Sequence, residues 1–133
     1  MALTLAKAEG IIKGACQKAS ELGIKVAVAV VDSGGHLMAL SRMDGAAIIT
    51  SDMARDKAFT SAVFRADTQV MSQFLGQVPF FAAGPQVAGG RLVPLGGGVP
   101  MMEGNDVIGA VGVGGGTPEQ DADCAKAGIA DAA

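Results

Sequence analysis

Apolar residues at Leu5, Ala8, Ile12, Ala15, Ala19 and Leu22 recur at spacings of three and four, the period of a helix with one buried face. Thr4 can cap its start and Gly23 can end it, so a helix is predicted over 4–22. The run "IKVAVAVV" switches to a period of two. Ile24, Val26, Val28 and Val30 fall on one face, with Ala27 and Ala29 on the other. A strand without a polar face belongs in the middle of a sheet covered on both sides. "DSGG" supplies turn chemistry, and "HLMALSRM" reads as a second strand closing a hairpin.

After "DGA" the pattern turns helical from Ser51 to Arg65, where Ala54, Ala58 and Ala62 make a small-residue stripe beside Phe59 and Val63. A short helix around Thr68 to Leu75 ends at Gly76. "QVPFFAAGPQVAGGRLVPLGGGVP" is a Gly- and Pro-rich connection with at most one short strand, around Arg91 to Val93. So long a connection in a compact fold is normally functional. "PMMEGNDVIGAVGVGGG" predicts a hairpin turning at Gly104–Asn105. A closing helix starts at a capping box, with Thr117 as cap, Pro118 in the first turn and Gln120 completing the box. The order α-β-β-α-α-β-β-β-α predicts an α+β sandwich resembling three layers, with about five strands in a mainly antiparallel sheet between helices.

Composition sharpens this picture. At 133 residues a single domain over 1–133 is expected, and half the residues are hydrophobic. That half is mostly Ala, Val and Met, with five Phe and no Trp or Tyr. Small side chains bury little area each, so a homo-oligomer is expected to add burial between subunits. A net charge of −3 and the lack of a basic run argue against nucleic-acid binding. No run of about 20 apolar residues is present to span a membrane, and the N-terminal stretch lacks the charged and apolar regions of a secretory signal. Cys16 and Cys124 are expected to be buried thiols in a cytoplasmic protein.

Several candidate sites can be weighed on spacing alone. G-x-G-x-x-G starting at Gly112 fails at Thr117, and no G-K-[ST] occurs, so no nucleotide cofactor is expected. One histidine and two distant cysteines do not make a zinc cluster. "GVGGGTPEQ" feeds backbone N–H groups, including those of Gly115 and Gly116, into a helix start. Such a corner either holds a carboxylate or phosphate or is simply too tight for side chains. Gly96, Gly97 and Gly98, followed by Pro100, form a bare backbone suited to close approach by a flat ligand or a neighbouring subunit.

His36, the sole histidine, stands just after a Gly-Gly pair. If the strand runs regularly from it, His36, Met38, Leu40 and Arg42 share a face, with His36 and Arg42 roughly 20 Å apart. That span suits a wide ligand such as a porphyrin, or a site shared between subunits. Arg42, Asp44, Arg55 and Lys57 could instead cluster, either as a binding site or as a surface ion-pair network worth little.

"VAVAVVDSGGHLMALSRMDGA", "MARDKAFTSA", "GGGVPM" and "VIGAVGVGGGTPEQDADCAKAGI", in that order, resemble the GlcG/HbpS-like family of haem-binding or haem-degrading proteins, related to the C-terminal domain of some cobalamin adenosyltransferases. The resemblance covers nearly the whole chain. It implies a profilin- or GAF-like α/β sandwich, homo-oligomers and a small-molecule-binding accessory role, with haem as the candidate ligand. It also implies a possible axial-ligand role for His36 on haem iron, with Met38 or Met43 as weaker candidates. The chain departs from the family in carrying Gly114 where serine is common, and in having few aromatic residues to wall a porphyrin. The pocket expected from these readings combines Arg42, Asp44, Lys57 and the Gly96–Pro100 loop. The alternative is a catabolic enzyme acting on a small organic acid or aldehyde by proton-transfer, isomerase or lyase chemistry. In that case Arg42 or Lys57 would hold a carboxylate, and Asp44, Glu103 or His36 would move a proton.

Overall fold

A computed structural model describes residues 2–77, 79 and 86–133. Its elements are α1 (Leu5–Leu22), β1 (Ala27–Asp32), β2 (Leu37–Arg42), α2 (Thr50–Phe64), α3 (Thr68–Ser72), β3 (Gly98–Glu103), β4 (Asp106–Gly114) and α4 (Pro118–Asp131). The strands form one antiparallel sheet in the order β2-β1-β4-β3. The two strands with the most continuous apolar runs, β1 and β4, take the centre, as their lack of a polar face requires.

Each face of the sheet carries its own core. Val28, Val30, Val111 and Val113 meet α1 and α4 through Ile11, Ala15, Cys124 and Ala125. Ala27, Ala29, Val31 and Ala110 meet Ala54, Ala58 and Ala62 of α2, the small-residue stripe visible in the sequence. This second interface is packed backbone to backbone: a Cβ on Gly112 of β4 would run into the Ala54 carbonyl. The result is the expected three layers, a helix pair, a sheet and a helix.

Local signals place the ends well. Thr4 accepts from the Lys7 N–H, and Gly23 closes α1. At α4, Thr117 and Gln120 form both halves of the capping box. The β3–β4 turn has Gly104 at φ 63, the left-handed conformation that a two-residue hairpin with glycine first requires.

Among the described residues the sheet has four strands rather than five. The stretch expected to be a strand, Arg91 to Val93, gives its backbone groups to a helix: the Val93 N–H donates to Thr60 Oγ1 at 2.8 Å, and Thr60 Oγ1 donates to the Arg91 carbonyl at 3.3 Å. Residues 78 and 80–85 of the long connection lie outside the described residues.

Candidate functional site

The hairpin between β1 and β2 is organised by a single oxygen. Asp32 Oδ1 accepts from the Gly34 N–H and the His36 N–H, each at 2.9 Å. The same oxygen lies 3.3 Å from His36 Nδ1. Burial pushes the Asp32 carboxyl up, but the two backbone N–H groups and the imidazole outweigh it and hold it below its ordinary value. The imidazole itself points outward, 82% exposed. A carboxylate against one ring nitrogen and solvent at the other is how proteins orient histidines that bind metals.

Gly35 seats this turn on α2. It has φ 83, and a Cβ there would come within 2.7 Å of Phe59 Cδ1, so only glycine lets the turn lie this close. The Arg91 guanidinium covers the Phe59 ring at 3.9 Å from its centroid, within cation–π range. Val63, 44% exposed, also faces Gly35. Gly35, the residue before His36, therefore stands beside an aromatic ring and an aliphatic side chain, and a cation covers that ring. Sequence reasoning noted Phe59 and Val63 only as helix residues and Arg91 only as a strand residue. Their meeting depends on the long connection folding back over α2, which no local spacing encodes.

The bulge in β2 changes which residues share a face. Val30 pairs with Ala39, but Val31 pairs with Leu37, leaving Met38 as the extra residue. Leu37, Leu40 and Arg42 pair with Val31, Ala29 and Ala27 of the α2-side core, so these three share that face. His36 precedes the strand and does not continue the row. Met43 is turned inward, with its sulfur 3.5 Å from the Val26 nitrogen, and is removed as an iron ligand.

The expected pocket of Arg42, Asp44, Lys57 and the glycine loop does not assemble. Arg42 and Asp44 are exposed, and neither enters an ion pair among the described residues. Arg55 turns to Asp52 and Asp56 instead, at 3.4 and 3.2 Å. Glu103 ends β3, on the opposite edge of the sheet from Arg42. Lys57 is buried, its Nζ donating to Asp121 Oδ2 at 2.9 Å and to the Val113 carbonyl at 3.0 Å, with both side chains 1% exposed.

That pairing also explains the glycine-rich helix start. Asp121 Oδ1 accepts the Gly116 N–H at 2.8 Å, so the carboxylate that such a corner attracts comes from the chain itself. Side chains on Gly97, Gly98, Gly115 or Gly116 would crowd Lys57, Asp121 or the Lys25 backbone. Gly96 lies against the Gln69 amide, and Pro100 pairs with Ala110 inside β3. These glycines admit an internal ion pair rather than a flat ligand. Asp121 drew no attention in the sequence because its partner lies 64 residues away.

A separate groove of about 390 Å³ runs between α1 and β2, lined by Leu5, Glu9, Ile12 and Lys13 and by the middle of β2. Among the described residues no group of three or more His, Cys, Asp or Glu could hold a metal ion, and no helix is long and apolar enough to cross a membrane.

A family model described as "Haem degrading protein HbpS-like" matches residues 3–130. The chain belongs to the HbpS-like family. It is 38% identical over 120 residues to an uncharacterized 15.0 kDa protein of the dhaT-dhaS intergenic region of Citrobacter freundii, covering 90% of this chain and 84% of that one. It is 39% identical over 108 residues to protein GlcG of Escherichia coli strain K12, covering 80% and 76% of the two chains. The solved structure of a PduOC–haem complex superposes with a TM-score of 0.89 at 28% identity, covering 98% of this chain and 95% of that one. These matches bear out the resemblance and the fold read from the sequence.

Proposed function

We propose that this HbpS-like chain is a small-molecule-binding accessory protein whose ligand is haem, held at the hairpin turn around His36. The observation that carries the reading is the His36 imidazole, exposed at one nitrogen and set against Asp32 at the other. The residues around the turn fit the group: an oriented imidazole for iron, Phe59 and Val63 as apolar side chains beside the adjacent Gly35, and Arg91, on the Phe59 ring, as a cation for a propionate. His36 would hold the iron of a bound haem, which would supply redox chemistry.

The chain's own residues do the rest. Asp32 fixes the ring, and Gly35 seats the turn that carries it against Phe59 of α2. The haem complex of the related PduOC supports this reading. The free thiols of Cys16 and Cys124 support a cytoplasmic setting. Leu37 and Val63, 51% and 44% exposed, support a homo-oligomer in which such surfaces are covered.

Haemin titration followed by difference spectra tests the site. Wild type is expected to give a saturable Soret shift that is lost in His36→Ala, which removes the ligand itself, and weakened about 10- to 100-fold in Asp32→Ala, which removes only its support. A shift that His36→Ala leaves unchanged overturns the assignment.

A further inference from the structure

Asp32 uses its charge differently from the other aspartates that stand in ion pairs. Asp52 and Asp56 face Arg55, Asp67 faces Lys126 and Asp121 faces Lys57. Among the described residues Asp32 faces no lysine or arginine, and its one ionic partner is the His36 imidazole, 3.3 Å from Oδ1. Arg91, the cation of this neighbourhood, is turned to the Phe59 ring and to the Ala88 carbonyl.

The Gly34 and His36 N–H groups that reach the same oxygen are neutral. They hold the carboxylate in place and leave its negative charge uncancelled. That charge is directed at Nδ1 of a ring that is otherwise exposed. A carboxylate behind one ring nitrogen makes the other a stronger electron donor. Iron with one positive charge more gains more from such a donor, so a group behind the ligand acts on the balance between its two oxidation states.

We infer that Asp32, a positioning residue behind His36, sets the oxidation state this site favours, so that the chain binds ferric haem in preference to ferrous. The inference rests on the haem reading above and adds to it which form is retained. Orientation of the ring alone would serve both forms equally. The charge of Asp32 does not.

Asp32→Asn isolates the charge, because its side-chain oxygen can still accept from the Gly34 and His36 N–H groups. The full chain loaded with haemin is titrated reductively with mediator dyes, the Soret band reporting the oxidised fraction. In Asp32→Asn the ferric preference should fall about tenfold, an upward shift of about 59 mV in the one-electron midpoint. Separate titrations with haemin and with its dithionite-reduced form measure the same ratio directly. Circular dichroism checks the fold, and Asp32→Ser, with a neutral hydroxyl acceptor, replaces Asp32→Asn if that variant does not fold. A wild type that takes up no haemin, or binding that His36→Ala leaves unchanged, overturns the haem reading and this inference together. If binding needs His36 but the neutral variant keeps the wild-type midpoint, losing affinity equally for both forms or not at all, the haem reading stands and the inference alone falls. A wild type that binds the ferrous form as tightly as the ferric overturns the inference without any variant.

Discussion

At the scale of single residues, the groups that matter were those whose partners are distant in sequence. Lys57 is the plainest case. Its charge and position beside Arg55 suggested a surface cluster, yet it spans from α2 to β4 and α4 and is 1% exposed. Removing one member leaves the other charge buried and uncompensated. Lys57→Met is therefore expected to cost about 3–5 kcal/mol in urea unfolding, and a second apolar substitution at Asp121 should recover part of it.

Asp32 adds a pH dependence. Its carboxyl is held below its ordinary value of 3.8 in the folded chain. The stability it adds is therefore present above the unfolded value and lost as pH falls through the lower, folded one. The stability gap between wild type and Asp32→Asn, measured by denaturant titration from pH 7 to pH 2, should persist through pH 5 and close only in the most acidic samples. His36 was visible in the sequence as a candidate, but the oxygen that orients it was not. Asp32 looked like an ordinary turn residue, and nothing in "VDSGGH" shows that one carboxylate oxygen faces three nitrogens.

Among elements, periodicity and capping carried most of the reading. The apolar period placed α1, Thr117 and Gln120 placed α4, and Gly104 placed the β3–β4 turn. Errors arose where an element breaks its own period or borrows partners. The bulge at Met38 moved Leu37 onto the face of Leu40 and Arg42, which simple alternation had assigned to His36. The fifth strand failed because Thr60 takes the backbone groups of Val93 and Arg91.

The contact between α2 and β4 also has a measurable cost. Gly112→Ala would set a Cβ against the Ala54 carbonyl, forcing the layers apart at about 1–3 kcal/mol or more. Gly76→Ala, with nothing within 4 Å, should stay within about 0.5 kcal/mol in the same thermal-melt series.

For the whole molecule, fold class and family were legible because patterning and turn chemistry are local and recur along the entire chain. The candidate site was legible only in part. It lies where the first hairpin, α2 and the returning connection meet, and long-range packing leaves no mark on spacing. The same is true of the sheet edges, whose difference depends on Thr68 reaching Gly98 from α3. That difference bears on growth. A sheet open at both edges can add copies without end and lengthen into a fibre, whereas Pro100 leaves the β3 edge short of an N–H group that such growth needs.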